Sequence, residues 1–243
     1  MEQLPLTAFL NHLLAGPVTA LLNALGVHPL HPEAPIPNAV AMELLVVVIL
    51  FLLFLLVRSQ LSVENPGTLQ HLFEGLHEFI EGQGAEVIGH HSEPYTAFVL
   101  MIFVYVLLCN LLGLVPGFES PTATPAVPLG IALCAFFYYH AQGVKKQGVG
   151  RYALHFFGPV WWLGWLMLPI EIISHLARVL SLTVRLYANM FAGDMVTLVF
   201  FSLVPAVLPV AFLGLHIFVS LLQAYIFALL TMVYLQGAVA TEH

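Results

Sequence analysis

Long runs of apolar residues divide the chain, and their lengths predict its membrane helices. Three runs, at about 39–57, 96–115 and 129–144, have about the length that crosses a hydrocarbon core of roughly 30 Å as a helix. Two longer runs follow, at about 160–204 and 206–240. Backbone polar groups in lipid must be satisfied within the segment, which favours helices. We therefore expect an all-α integral membrane protein with about five membrane helices.

The apolar run at 160–204 is too long for a simple crossing. As a single helix it would extend roughly 68 Å, which is more than twice the thickness of the hydrocarbon core. Either the run folds back and crosses twice, or it crosses once as a steeply tilted and bent helix. Pro169 and the pair Ala192–Gly193 permit bending, but no strong turn divides the run. The pattern leaves both arrangements open.

Two other segments are amphipathic instead of uniformly apolar. Within about 67–90, leucine, phenylalanine and isoleucine recur at helical spacing with glutamates on the other side, which predicts an interfacial helix. A short amphipathic helix is predicted at about 9–25, within a mixed amino-terminal segment at 1–37 that also contains the turn-rich stretch HPLHPEAPIPN. The predicted organisation is thus this amino-terminal segment, a polytopic membrane domain at 38–240 and a tail at 241–243.

The basic residues outside the longest runs predict the orientation. Arg58 follows the first membrane run, and Lys145, Lys146 and Arg151 follow the third, so all four lie on one face of the membrane. Cytoplasmic loops carry an excess of lysine and arginine, so this face is predicted to be cytoplasmic. The amino-terminal segment is then outside. The carboxyl-terminal tail is cytoplasmic if the longest run crosses once.

Composition supports the membrane assignment and excludes one class of partner. Hydrophobic residues make up 60% of the 243 residues and charged residues only 8%, with a mean hydropathy of +0.95. These values are typical of an integral membrane protein, for which the bilayer itself is a partner. The net charge of −7 argues against binding to nucleic acid.

Charged side chains interrupt the run at 160–204. Glu171, Arg178 and Arg185 are spaced by seven residues and fall along one stripe of a helix. Ser174 and Asn189 lie along or beside that stripe. An arginine at membrane depth costs roughly 3 kcal/mol on insertion scales. A fixed cation in such a place needs a partner, a water-filled cavity or a function.

Further polar residues lie beyond the arginine. Asp194 comes nine residues after Arg185, about 180° around an undistorted helix, so its carboxylate is predicted to face away from the guanidinium. His216 and Gln223 are seven residues apart in the last run. A fixed cation flanked by titratable groups at two depths suits a proton or ion pathway that the cation interrupts.

Structural roles stay open for several of these residues. Glu171 and Arg178 suit a buried ion pair, and His216 suits a packing histidine. Asn189 and Gln223 suit hydrogen bonds between helices. Paired Cys/His spacing and an HExxH motif are both missing from the sequence, so we expect no metal and no cofactor.

The segment LTVRLYANMFAGD, followed by HIFVSLLQAYIFALLTMVYL, closely resembles subunit a of the rotary F-type ATP synthase. The resemblance continues upstream through IEIISHLARVLSLTVR and CNLLGLVPG and covers roughly 38–240. It implies a proton-conducting stator in the bacterial inner membrane, non-catalytic alone. It also implies two tilted long helices, and as partners a ring of c subunits, peripheral-stalk b subunits and the rest of the complex.

The resemblance also implies roles for individual residues. Arg185 would be the essential stator charge that faces the c-ring, with Asn189 and Gln223 near it. Asp194 and His216 would line the half-channel open to the outside. The half-channel to the cytoplasm would be lined by Glu171 and Ser174.

The sequence departs from the family at two positions. Asp194 stands where many bacterial relatives have glutamate, and Gly113 lies where some relatives carry an acid. Glu119 is a candidate to replace that acid in the outer vestibule.

Two other functions fit parts of the pattern. A stand-alone secondary transporter or channel would use Arg185 to bind an anion, and it would predict inverted repeats, which the two halves of the sequence lack. An intramembrane enzyme would need a nucleophile–base pair or a metal motif at depth, and neither is evident.

Overall fold

The computed structural model describes residues 4–24, 26, 28, 31–62, 66–89, 92–115, 117–155, 164–203 and 208–239. All regular elements in these ranges are helical, so the all-α prediction is confirmed. The α-helices are α1 Pro5–Ala24, α2 Asn38–Ser59, α3 Thr68–Val87, α4 Glu93–Leu112, α5 Ala126–Gln147, α6 Val149–His155, α7 Gly164–Leu203 and α8 Leu208–Val239. A short 3-10 helix, Pro121–Ala123, lies between α4 and α5. The predicted tail at 241–243 lies outside the described residues.

Six of the described helices are long and apolar enough to cross a membrane: α1, α2, α4, α5, α7 and α8. Five of them correspond to the predicted membrane helices. The sixth, α1, is longer than the short amphipathic helix that the sequence indicated. Its place in the fold therefore matters for the topology.

Helix α1 packs against the beginning of α2 and the segment that precedes it. The backbone N–H of Leu4 donates to Asn38 Oδ1 at 3.3 Å, and the Asn11 side chain makes two hydrogen bonds of 3.0 Å with the backbone of Ile36. The apolar side chains of α1 pack against a buried cluster of Ile36, Ala41 and Met42, which Leu112 and Phe118 also contact. If α1 crossed the membrane antiparallel to α2, the carboxyl-terminal end of α1 would lie near the start of α2. Instead, the amino-terminal end of α1 lies near the start of α2.

Helix α7 is continuous over its 40 residues, and α8 has 32. At about 1.5 Å per residue they extend about 60 Å and about 48 Å. Both lengths exceed the roughly 30 Å hydrocarbon core, so both helices are long enough to cross it with a strong tilt. The folded-back arrangement that the sequence left open is wrong for 164–203, because neither Pro169 nor Gly193 interrupts the helix.

The buried core lies where α8 meets α4, α5 and α7. Hydrogen bonds tie these helices together. Asn110 on α4 donates to the Ser220 carbonyl on α8 at 3.4 Å and accepts from Thr122 at 2.7 Å. Gln147 at the end of α5 donates to the Ala238 carbonyl at 3.0 Å. Such bonds fix helix positions where apolar packing alone is weakly selective.

Helix α3 confirms the amphipathic helix predicted at about 67–90. Ile80 is fully buried against the core, while the glutamates of α3 are on the other side. Tyr225 of α8 donates to Gln83 at 2.8 Å and its ring lies 5.9 Å from that of Phe79. The apolar face of α3 is therefore used for packing against the membrane helices.

Candidate functional site

The predicted site residues lie on α7 and α8, and the packing of these helices brings two of the amides together. Asn189 Nδ2 donates to Gln223 Oε1 at 2.8 Å. Gln223 is buried, whereas Asn189 is exposed on α7 one turn after Arg185. This hydrogen bond joins the two long helices at the level of the arginine. It serves packing whatever further role the amides have.

Arg185 is half-buried and its Nη2 donates to Ser181 Oγ at 3.1 Å. The ion pairs within 4.0 Å in the described part of the chain all contain a histidine, and none contains Arg185. On the same helix Leu180 and Val184 are 63% and 51% exposed. The guanidinium thus lies beside an exposed apolar surface without a carboxylate from the described residues.

Asp194 on α7 and His216 on α8 lie close together, beyond Arg185 towards the carboxyl-terminal end of α7. His216 Nδ1 lies 3.8 Å from Asp194 Oδ1, which is within ion-pair range but longer than a hydrogen bond. The His216 side chain is 4% exposed and that of Asp194 is 32% exposed. Asp194 faces His216, as expected for a carboxylate about half a turn around α7 from Arg185.

Both residues line a cavity of about 530 Å³ that Glu119 also lines. The polar groups and the volume suit ordered water. Gly113 lines the same cavity, and a Cβ there would lie 2.8 Å from the Cβ of Ser120. The loop therefore approaches too closely for an acidic side chain at Gly113, and Glu119 brings a carboxylate to the cavity instead.

Glu119 also lines a second cavity, of about 1070 Å³, between the segment before α2 and the start of α5. Glu33 and Glu43 contribute further carboxylates, and Glu43 accepts a 2.9 Å hydrogen bond from the hydroxyl of Tyr105. Nothing in the sequence groups these acids, because they belong to different segments. The fold connects them through Glu119.

A third polar group lies on α7 before the arginine. Glu171 Oε1 is 3.3 Å from His175 Nε2, and the other ring nitrogen is 2.9 Å from the hydroxyl of Tyr139 on α5. Ser174 is half-buried on the same turn of α7. Sequence reasoning missed His175 and Tyr139. The four-residue spacing of Glu171 and His175 was the available signal.

The suggested ion pair between Glu171 and Arg178 is not formed. Glu171 contacts His175, and the Arg178 guanidinium carbon lies 5.1 Å from the centre of the Tyr234 ring. A cation over an aromatic face is a favourable arrangement in a low-dielectric setting. The seven-residue spacing placed both side chains on one stripe, but a histidine one turn from Glu171 is closer than an arginine two turns away.

The polar residues therefore occupy three levels of α7. Glu171 and Asp194 lie 14 residues before and 9 residues after Arg185, which is about 21 Å and about 14 Å along a helix axis. Both carboxylates have a histidine neighbour, whereas Arg185 has a serine. Titratable groups on either side of a fixed charge can accept and release protons on opposite sides of an electrostatic barrier.

The family model described as ATP synthase A chain matches residues 40–236. ATP synthase subunit a of Koribacter versatilis is 57% identical over 242 residues, covering 100% of this chain and 99% of the relative. The subunit a of Solibacter usitatus is 53% identical over 234 residues, covering 96% and 99%. ATP synthase subunit a 3 of Pelobacter propionicus is 40% identical over 216 residues, covering 88% and 93%. The resemblance seen in the sequence is thereby confirmed, and the chain belongs to the family of ATP synthase subunit a, multi-pass bacterial membrane proteins of the ATP synthase membrane sector.

Proposed function

We propose that this chain is the proton-conducting stator of the membrane motor, with two offset half-channels separated by Arg185. The observation that carries the proposal is the order of polar groups along α7. A histidine–carboxylate pair lies on each side of an arginine that has no carboxylate partner among the described residues. The chain is non-catalytic alone, because it moves protons and leaves ATP chemistry to other subunits.

The outer half-channel runs through the two cavities that share Glu119. Protons enter the larger cavity, pass Glu119 and reach Asp194 and His216. The cavity beside the last two groups has room for water, which can carry a proton between them as well as a direct hydrogen bond can. The inner half-channel begins at Glu171 and Ser174 and leads to the cytoplasm.

The partner at the arginine is a ring of c subunits, each with a carboxyl group that is neutral in lipid. Ionising a carboxyl group in hydrocarbon is costly, and a nearby guanidinium favours the ionised form. A rotor carboxyl group that reaches Arg185 therefore releases its proton towards the inner path. The exposed apolar side chains of α7 beside Arg185, such as Leu180 and Val184, suit an apolar partner surface. Peripheral-stalk b subunits hold the chain against rotation.

The orientation places the amino terminus outside and the carboxyl terminus in the cytoplasm. Lys145 and Lys146 close the last turn of α5 and mark the cytoplasmic face. A single crossing of α7 then brings the end of α8 back to that face. Helix α1 then lies at the outer end of α2, which agrees with the hydrogen bonds at Asn38 and Ile36.

Cysteine labelling tests this orientation. Exposed positions Thr124, Val149 and Gln236 are changed singly to cysteine after Cys109 and Cys134 are replaced by serine. In right-side-out membrane vesicles, an impermeant reagent should label the cysteine at 124 and leave those at 149 and 236 unlabelled. Labelling at 236 from outside would contradict a single crossing by α7.

The stator mechanism is tested with Arg185→Ala in the whole complex. We expect loss of ATP synthesis driven by a proton gradient and of ATP-driven proton pumping, because the barrier between the half-channels is electrostatic. The complex should still copurify with its c-ring. Arg185→Lys should also be severely impaired, since a compact ammonium lacks the planar guanidinium fork. Near-normal ATP synthesis by the Arg185→Ala complex would refute the mechanism.

A further inference from the structure

His175 is a buried titratable residue beside the proposed inner half-channel. It lies one turn after Glu171 on α7, and its two ring nitrogens contact groups on different helices. Nε2 is 3.3 Å from Glu171 Oε1, and Nδ1 is 2.9 Å from the hydroxyl of Tyr139. The His175 side chain is only 11% exposed, whereas that of Glu171 is 33% exposed. The imidazole therefore lies behind the carboxylate, on its protein side.

An imidazole held in this way can exchange a proton with the carboxyl group. The hydrogen bond at one ring nitrogen decides which nitrogen carries the proton. When the Tyr139 oxygen accepts from Nδ1–H, Nε2 presents its lone pair to Glu171. A proton on Glu171 can then move, with the O–H bond breaking and an N–H bond forming. The product is an imidazolium beside a carboxylate, and the reverse step returns the proton to Glu171.

We infer that His175 is a proton-transfer residue of the inner half-channel that exchanges a proton with Glu171, and that Tyr139 is the positioning residue that holds its ring. The inference rests on the proposed function, because the assignment of Glu171 to a half-channel that opens to the cytoplasm is part of that proposal. A free imidazole titrates near about 6.5 and a free glutamate side chain near about 4.3. The imidazole gives this site a second proton acceptor beside the carboxylate, which matters when ATP hydrolysis pumps protons out of the cytoplasm.

The surroundings limit the charge that this site can hold. The His140 ring centre lies 4.6 Å from that of His175, and the Arg178 guanidinium lies over Tyr234 nearby. Like charges this close oppose each other, so the site takes up one proton rather than two. The titratable and charged groups around the ring, from α5, α6, α7 and α8, are Tyr139, His140, Tyr152, Glu171, Arg178 and Tyr234.

The first test measures ATP-driven proton pumping as a function of pH on the cytoplasmic face, with the whole complex in liposomes. His175→Gln keeps hydrogen-bonding atoms but cannot carry a proton. We expect pumping at least about tenfold slower at alkaline pH, with the midpoint of the profile shifted by about one unit or more towards acid. An equal loss at every pH would assign His175 a structural role and overturn the inference.

His140→Gln is the matched control. His140 belongs to the same aromatic cluster, and its Nδ1 contacts the Tyr152 hydroxyl at 2.6 Å instead of a carboxylate. Its replacement should leave the pH midpoint unchanged. A shift equal to that of His175→Gln would mean that any change in the cluster moves the profile, which contradicts a specific exchange with Glu171.

Chemical rescue separates proton transfer from packing. His175→Ala removes the ring, and imidazole or pyrazole is added on the cytoplasmic face. The two molecules have the same shape, but pyrazole is a far weaker base. We expect imidazole alone to restore pumping, with assembly checked by copurification of the c-ring. Equal restoration by both, or by neither in a correctly assembled complex, would overturn the inference.

Tyr139→Phe tests the positioning residue. It keeps the ring and removes the hydroxyl that contacts Nδ1, so the tautomer of His175 is no longer fixed. We expect a midpoint shift in the same direction as for His175→Gln but smaller. An unchanged profile would remove Tyr139 from the site.

The same liposomes separate this inference from the proposed function. If Arg185→Ala retains coupled pumping, the stator mechanism itself fails. If Arg185→Ala loses pumping while His175→Gln keeps the wild-type rate and profile, the stator mechanism stands and only the role of His175 is refuted.

Discussion

On either side of Arg185, a carboxylate of α7 is paired with a histidine, in different surroundings: His216 comes from α8 and His175 from α7 itself. On the outer side, Asp194 and His216 are 3.8 Å apart and line a cavity of about 530 Å³. On the inner side, Glu171 and His175 are 3.3 Å apart, and Tyr139 contacts the second ring nitrogen at 2.9 Å. The outer pair lies beside a cavity that suits water. The inner pair is held by direct contacts among aromatic rings.

This difference shows how one pair of residue types can serve two kinds of transfer. Beside a cavity, water can complete the path, so exact side-chain length matters less. Within a packed cluster, the side chains themselves must supply each contact, and small changes in volume are felt. We therefore expect the outer region to tolerate a longer side chain and the inner region to resist added atoms.

Replacing Asp194 should have the largest effect in the outer region. Asp194→Asn removes the titratable group, and we expect proton transport at least about tenfold slower. Asp194→Glu should retain much of the transport, since the cavity has room for one more methylene. Pumping by the whole complex in liposomes measures both. Comparable losses in the two variants would contradict the view that length matters less here.

A double variant tests whether Asp194 and His216 act in the same half-channel. If they share one half-channel, the double variant Asp194→Asn/His216→Ala should lose less than the product of the single losses. Independent, multiplicative losses would show that the cavity does not connect the two groups.

A single methyl group tests the inner region. A Cβ at Gly143 on α5 would lie 2.5 Å from Tyr152 Cε2 and 2.9 Å from the Ala238 carbonyl oxygen. Gly143→Ala should therefore cost about 1–3 kcal/mol of stability and lower the thermal stability and yield of the complex. Gly130→Ala on the same helix is the control, because nothing lies within 4 Å of its Cβ. Equal stability of the two variants would argue against tight packing near His140 and Tyr152.

The matching change in the outer region should have the smallest effect. A Cβ at Gly193 would lie 3.1 Å from His216 Nδ1, so Gly193→Ala should shift the imidazole slightly. We expect transport to fall by about threefold, with little change in stability, because small displacements of a transfer group slow its reaction. Gly214→Ala, whose Cβ has nothing within 4 Å, is the control on α8. A loss of stability as large as that of Gly143→Ala would remove the contrast between the regions.

The sequence by itself determined the helical membrane class and most of the residues on α7. Apolar runs of membrane length, and one amphipathic segment, identified the helices because helical periodicity is a local property. The seven-residue spacing placed Glu171 and Arg185 on one stripe, and half-turn geometry placed Asp194 away from the arginine. These conclusions hold within a single helix, where the sequence separation of two residues determines both their distance along the helix axis and the angle between their side chains.

The tertiary structure decided which groups meet across helices. Tyr139 on α5 reaches His175, Glu119 in a loop reaches the cavity of Asp194, and Asn189 contacts Gln223 at a separation of 34 residues. Sequence spacing could not supply these pairs, because the relative rotation and height of two helices depend on packing over their whole length. The length of the 160–204 run allowed two arrangements, and in the tertiary structure α7 is a single continuous helix over 164–203 that packs against α5, α8 and the 3-10 helix.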